Sequence, residues 1–244
     1  MNVRRRFVVL ATTLSIATAA WCAAGTTLVP SGRLGSESRP VPAFRAVSLS
    51  LPADVVLRQA PPAPVAIEAD DNLLAEIDAV VEDGTLKLRF KRPLDIAGRA
   101  HLRIVVTAPA LEAIAIAGSG NVLAEKLRAG TLAASITGSG DMRLANLEAE
   151  ALKASLSGSG VLRVGGHAAQ LTARIAGSGD IDAASLETRR SGVAITGSGD
   201  AKVWATEALS ARVAGSGDVR YRGEPALTTS IAGSGSVKRL APAS

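Results

Sequence analysis

The residue after each of seven Gly-Ser-Gly triplets is Asn121, Asp141, Val161, Asp180, Asp200, Asp218 or Ser236. Asp180, Asp200 and Asp218 recur once per repeat. In a stacked fold they would lie about 4.8 Å apart. Like charges at that distance repel unless something bridges them. Ca²⁺ binds through several carboxylate and carbonyl oxygens, so a calcium ladder on these three residues is the first chemical candidate. The competing reading has each Asp accepting backbone N–H bonds within its own turn. It is preferred because Val161 interrupts the row and the nine-residue Gly-Gly-x-Gly-x-Asp period of calcium rolls is absent.

Two residues beyond that position stand Arg143, Arg163, Lys202, Arg220 and Lys238, with Asp182 at that place in one repeat. Carboxylates beside cations are what a calcium-dependent polysaccharide lyase or hydrolase would use. Charged residues alternating with aliphatic ones also describe a solvated face that protects a sheet from aggregation. The seven serines, Ser119 and its equivalents, have no paired histidine and do not form a nucleophile constellation. Neither a helix nor a Lys in P-loop spacing follows any triplet, so the glycines are not read as a phosphate cradle. His101 and His167 are the only histidines, and His167 in Gly165-Gly166-His167 reads as an exposed turn residue. The single Cys22 excludes a disulfide framework and a cysteine-based zinc or iron–sulfur centre. The expectation is no catalytic residue and no cofactor, with calcium as the one alternative.

The elements that must position these residues follow from the repeat. The glycine pairs are Gly118/Gly120, Gly138/Gly140, Gly158/Gly160, Gly177/Gly179, Gly197/Gly199, Gly215/Gly217 and Gly233/Gly235, spaced 18–20 residues apart. Self-similarity at such a period marks a solenoid. Leu132, Ala134 and Ile136 alternate with Ala133, Ser135 and Thr137 before one triplet, and Met142 and Leu144 flank Arg143 after it. Period-two alternation is a strand with one buried face, whereas a helix would need apolar spacing near 3.6. Each unit therefore predicts two short strands, a Gly-Ser-Gly corner and a variable turn. The glycines are structural, because the chain must reverse in three residues with φ > 0. Stacked units give an all-β, two-sheet solenoid, and parallel crossovers predict a right-handed parallel β-helix.

Residues 44–110 read as irregular first coils and 111–240 as the Gly-Ser-Gly repeats, in one domain over 44–240. Asp83-Gly84 predicts a hairpin turn, and Asp71–Ile77 a short capped helix or turn. Residues 25–43, with Pro30, Pro40 and Pro42, read as a flexible linker. Arg4–Arg6 followed by the apolar stretch 7–24 reads as a signal peptide over 1–24, with cleavage after Ala19, Ala20 or Ala24. Trp21 just before Cys22 argues against lipidation, and an uncleaved anchor is the alternative. The formal charge of +5 falls to +2 without the leader, because the leader holds three arginines and no acid. Without a basic run, nucleic acid is not an expected partner.

One block of residues goes beyond general pattern: Phe44-x-x-Val47, Asp54-Val55, Asp70-x-Asn72-Leu73, Asp83-Gly84-x-Leu86, Pro109-x-Leu111 and Gly118-Ser119-Gly120-Asn121. With the triplets it resembles the head GIN domain family, exported bacterial proteins described as auto-transporter adhesins, over roughly residues 40–240. The resemblance implies a right-handed β-helix similar to pectin-lyase folds, no established catalytic residues and an adhesion role. Auto-transporters also carry a C-terminal membrane barrel. No strand read here is long enough for one, which shifts the expected location to the periplasm or cell envelope, with the cell surface as a further possibility. The expected function is that of an exported, non-enzymatic envelope module. The alternatives are the calcium-dependent polysaccharide enzyme and a self-associating structural module. Outward residues before the corners, such as Ser135, Thr137, Ser155, Ser157 and Thr172, make a flat strip of small groups. That strip suits extended glycans, envelope proteins or a second copy of the chain.

Overall fold

A computed structural model describes residues 26–240. The expected signal peptide, with Trp21 and Cys22, lies outside the described residues, as do residues 241–244. The N-terminal part runs β1 (Thr26–Leu28), β2 (Leu34–Arg39), β3 (Ala46–Leu49), β4 (Asp54–Gln59), β5 (Val65–Asp70), α1 (Asp71–Leu74), β6 (Ile77–Glu82), β7 (Thr85–Phe90), β8 (Leu94–Ile96) and β9 (Leu102–Ala108). The repeats follow as β10 (Ala113–Gly118), β11 (Asn121–Ala124), β12 (Leu127–Gly138), β13 (Asp141–Gly158), β14 (Val161–Gly177), β15 (Asp180–Gly197), β16 (Ala201–Gly215), β17 (Asp218–Arg222), β18 (Ala226–Gly233) and β19 (Ser236–Arg239). The chain is a parallel β-solenoid of about six turns. No helix among the described residues is long and apolar enough to cross a membrane.

Like residues stack on like residues. Leu132, Ala134 and Ile136 of β12 pair with Leu152, Ala154 and Leu156 of β13, and Gly138 pairs with Gly158. The ladder continues to Leu171, Ala173 and Ile175 and then to Val193 and Ile195. All of these side chains are buried. Burying one Leu or Ile contributes about 1.5–3 kcal/mol. The central alanine column keeps the two walls close enough for such small residues to fill the core.

The variable turn is more ordered than the sequence implies. Leu147, Glu148 and Ala149 pair with Gly166, His167 and Ala168, after a register shift between Leu144 and Leu147. Strands β13 to β16 consequently run 15–18 residues through the bend. Leu127, Leu147 and Leu186 point inward there and are buried. An inward leucine anchors the bend to the core, and the neighbouring coils satisfy its backbone groups.

The order of stacking departs from chain order at the N-terminal end. β3 and β4 form the coil beneath β10 and β11. β7 and β9, later in the chain, lie beneath β3 and β4. Antiparallel β6 on β7, and β5 and β2 beyond β9, close this end. Asp83 (φ 50°) and Gly84 (φ 71°) make the β6–β7 hairpin turn.

The linker expected over 25–43 is corrected here: β1 and β2 are strands, paired with β8 and β5. Specific polar partners hold them. The buried Asp70 carboxylate accepts the Gly32 N–H (2.8 Å) and the His101 N–H (2.9 Å). Asn72 donates to the Val29 carbonyl. Arg39 donates to the carbonyls of Leu74 and Ile77. Proline and glycine content marked a linker because these partners lie 35–43 residues away in sequence.

The opposite end is open among the described residues. β18 and β19 stack on β16 and β17. Leu227 and Ile231 are 43% and 44% exposed, although Leu209 and Val213 one coil below are buried.

Candidate functional site

The two glycines of each corner do different work. In Gly138-Ser139-Gly140, Gly138 has φ 123°, and the first glycine of every triplet lies at 119–135°. The positive φ expected of the corner falls on the first glycine alone. Gly120, Gly140, Gly160, Gly179, Gly199, Gly217 and Gly235 do not adopt a positive φ. They are required because no side chain fits between stacked coils. A Cβ on Gly140 would meet Ile116 Cγ2 at 2.9 Å and the Gly120 carbonyl oxygen closer still. A Cβ on Gly217 would meet Ile195 Cγ2 at 3.0 Å, with the Gly199 carbonyl oxygen again nearer. The Gly118 carbonyl accepts both the Ser139 and the Gly140 N–H at 3.0 Å, so successive corners hydrogen-bond directly. At Gly215-Ser216-Gly217 the link from the Gly197 carbonyl is made to the Ser216 N–H at 2.9 Å. The serines are exposed, and none of their hydroxyls has a hydrogen-bond partner among the described residues.

The residues after the corners form a ladder, though not of the kind expected. Asp141 Oδ1 accepts the N–H of Val161 (3.0 Å), Asp180 Oδ1 that of Asp200 (3.0 Å), and Asp200 Oδ1 that of Asp218 (2.9 Å). Asp218 Oδ1 accepts both the N–H and the hydroxyl of Ser236. Each side chain therefore bonds to the next coil rather than to its own turn. At the Val161 gap the Asp180 N–H turns instead to the Gly160 carbonyl (3.1 Å). Hydrogen bonding from Ser236 holds the Asp218 carboxyl below its ordinary pKa. Arg220 reaches Asp200 (3.6 Å) and Asp218 (3.5 Å), relieving the repulsion between them. No group of three or more His, Cys, Asp or Glu among the described residues could hold a metal ion.

A charged column lies beside this ladder. Leu123, Arg143 and Arg163 are ladder neighbours in successive coils, followed by Asp182, Lys202 and Arg220. The later members are paired: Lys202 lies 3.6 Å from Asp182, and Arg220 bridges two carboxylates. Arg143 and Arg163 have no ion-pair or hydrogen-bond partner among the described residues. They line one side of a groove of about 490 Å³, whose floor includes Val56 and Leu123 and whose far side holds His101 and Arg103. A second groove of about 260 Å³, lined by Gly165, Asp182 and Ser185, meets the first at the same two arginines.

A third column runs along the second bend: Arg128, Glu148, His167, Glu187, Trp204 and Arg222. Arg128 Nε lies 2.6 Å from Glu148 Oε2, and that bond holds the Glu148 carboxyl below its usual range. His167 Nδ1 is 3.6 Å from Glu187 Oε2, and Arg222 stacks 5.0 Å over the Trp204 ring. His167 is exposed, as its turn position implies, but it is also a rung of this ladder. The small-residue strip before the corners forms a continuous row through Ser135, Ser155, Arg174, Ala194 and Arg212.

Sequence reasoning assigned Arg143 and Arg163 to a solvated face and did not find the groove. One signal was visible: Val161 replaces the Asp that would otherwise stand two residues before Arg163. The contribution of His101 and Arg103 was not visible, because their coil enters the stack out of chain order.

A narrow stack of about six coils with parallel register from one coil to the next defines the class of fold, a β-solenoid. The chain belongs to the family described as "Putative auto-transporter adhesin, head GIN domain", which matches residues 43–225. Among solved structures it is similar to a "putative adhesin" from Bacteroides fragilis, with 26% identity and TM-score 0.81, covering 87% of this chain and 100% of that one. A "putative adhesin" from Parabacteroides distasonis is 26% identical with TM-score 0.72, covering 88% and 100%. A "putative lipid binding protein" from the same organism, at 24% identity and TM-score 0.73 over 88% and 100%, shares the fold. No curated protein matches the chain significantly.

Proposed function

We propose that this protein is an exported, non-enzymatic module of the cell envelope that binds extended ligands, glycans first among them, on the outer faces of its solenoid. The observation that carries this reading is the register. Each outward position recurs at the strand spacing of about 4.8 Å over several coils, a surface matched to polymers rather than to one compact substrate. The family description and the adhesin-like neighbours support the adhesion role. The basic and apolar leader supports export. The ladder of aspartates engaged with backbone N–H groups supports a structural role for Asp180, Asp200 and Asp218 and a protein without a cofactor.

A glycan array probed with the purified protein tests the binding, and fractionation of the native protein into periplasm, outer membrane and medium tests the location. Cytoplasmic recovery, or chain cleavage of a polysaccharide that is lost in Asp200→Asn, would overturn the reading. One observation favours a second role. Leu227 and Ile231, exposed in the last described coil, would be covered if copies associated through that end. A concentration-dependent dimer abolished by Leu227→Ser and Ile231→Ser would establish it.

A further inference from the structure

Arg143 and Arg163 are two adjacent cations of one column that form no ion pair, unlike Lys202 and Arg220 in the same column. They are direct ladder neighbours, so their backbones lie about 4.8 Å apart and their guanidinium groups project from the same face. Like charges so placed are unfavourable unless something lies between them. The same column relieves this repulsion elsewhere with carboxylates, at Asp182 for Lys202 and at Asp200 and Asp218 for Arg220. Val161 occupies the acidic position in the coil of Arg163, and Asp182, the ladder neighbour of Arg163 on the other side, pairs with Lys202 instead. Asp141, whose Oδ1 accepts the Val161 N–H, and Asp54, which accepts a bond from Asn121, line the same groove without forming an ion pair with either arginine.

The space around the pair is shaped. Two grooves, of about 490 and 260 Å³, meet at Arg143 and Arg163. The floor of the larger includes Leu123, an aliphatic side chain left 36% exposed on a face where later coils carry charge. A group lying over Leu123 and Val56 must itself have an apolar face. A group at the junction must carry negative charge, and planar guanidinium forks match oxyanions bidentately. The two grooves on either side of the pair accommodate a chain that continues in both directions.

We propose that Arg143 and Arg163 form an anion-recognition site for an acidic polysaccharide: a carboxylate or sulfate oxyanion bridges the two guanidinium groups while the C–H face of a neighbouring sugar rests on Leu123 and Val56. This rests on the glycan-binding reading above and supplies its ligand class and its site.

The test is titration calorimetry of the purified protein with four polymers: a polyuronate, a sulfated glycan, the methyl-esterified and therefore neutral polyuronate, and polyglutamate. The variants are Arg143→Gln, Arg163→Gln, the double variant, Leu123→Ser, and Arg174→Gln. Arg174 carries the same charge on a different face, so its variant controls for overall electrostatics. The wild type is expected to bind at least one acidic glycan. Each single arginine variant should lose roughly tenfold in affinity and the double variant should lose binding. Leu123→Ser should weaken binding, and Arg174→Gln should leave it unchanged. Because neither arginine has a partner to lose, the double variant should melt no lower than the wild type, which separates lost binding from lost folding.

Preference between the carboxylated and sulfated polymers identifies the oxyanion, and either supports the site. Equal binding of polyglutamate would show that no sugar face is recognised and would overturn the proposal. Equal loss in Arg174→Gln, or full binding by the double variant, would also overturn it. Binding of the neutral glycan that survives in the double variant would sink this site and leave the general glycan-binding reading standing. Failure of the wild type to bind any glycan would sink both.

Discussion

Replacing corner glycines one at a time separates backbone strain from the close approach of coils. Gly118 has φ 119° and nothing within 4 Å of the place a methyl group would take, because its corner begins the row. Gly118→Ala should therefore cost only backbone strain, about 1–3 kcal/mol. Gly199 lacks the positive φ, but a Cβ there would lie 2.9 Å from Ile175 Cγ2 and 3.2 Å from the Gly179 carbonyl carbon, with the Gly179 oxygen nearer still. Backbone cannot yield as a side chain can, so the coils must part. The cost is overpacking of about 1–3 kcal/mol. Weakening of the Gly199 N–H bond to the Gly177 carbonyl (3.1 Å) adds about 0.5–1.5 kcal/mol. Gly177 combines both penalties, with φ 123° and a Cβ position 2.6 Å from the Gly158 carbonyl oxygen. Gly177→Ala should cost about 2–6 kcal/mol, a large share of the roughly 5–15 kcal/mol typical of a folded domain. Ser198→Ala removes a hydroxyl with no partner and should change stability by less than about 0.5 kcal/mol. Urea unfolding midpoints give the ranking Gly177 > Gly199 > Gly118 > Ser198. If Gly118→Ala proved as damaging as Gly177→Ala, inter-coil contact would not matter. If Ser198→Ala were the worst, the corner would have a role in its serine.

Gly199→Val should destabilise more than Gly235→Val, since Gly199 has a coil on each side while Gly235 lies in the last described coil; denaturant midpoints decide. Asp218→Asn should hold stability to within about 0.5 kcal/mol, because Asn121 already accepts the Asp141 N–H through its amide oxygen, while Asp218→Ala should lose about 1–2 kcal/mol. Calcium should not raise the melting temperature of the wild type; a rise abolished by Asp200→Asn would restore the calcium ladder. Thr188→Val should cost about 1–3 kcal/mol in urea unfolding, because the buried Thr188 hydroxyl bonds both Ser191 Oγ and the Trp204 carbonyl at 2.7 Å. Acid should destabilise in a defined direction. Glu82, held down by Lys87 and Arg89, and Glu76, held down by Arg92, have depressed folded-state pKa values relative to the ordinary 4.5, and Asp218, bonded by Ser236, relative to 3.8. Their contribution is complete above those ordinary values and is lost as pH falls below them, so melting temperature should hold from pH 7 to about 5 and drop below about pH 4.

Much of the fold was legible because its signals are local and repeated. Leu132, Ala134 and Ile136 mark one buried face by alternation alone, and seven copies leave the phase in little doubt. The corner glycines announced themselves by type and spacing, although the reason for the second of each pair, from Gly120 to Gly235, lies in the coil beneath it. Asp83-Gly84 named its hairpin. The family resemblance rested on residues that stand in the sequence at fixed places, and the match over residues 43–225 agrees with it.

What the tertiary structure decided is which coil each residue meets. An aspartate after a corner reads as a turn residue, since its own turn is the only neighbour a sequence displays. In the solenoid the nearest unpaired N–H belongs to the next coil, 18–20 residues on, and the side chain goes there. Residues 26–39 read as linker because the Asp70, Asn72 and α1 carbonyls that hold them are distant in sequence. The groove at Arg143 and Arg163 depends on the coil of β7 and β9 entering the stack beneath β3 and β4, an order that chain succession does not imply. Periodicity fixes what each coil is, because alternation and glycine act within a few residues. Partners across coils depend on stacking order and register, which only the assembled backbone sets.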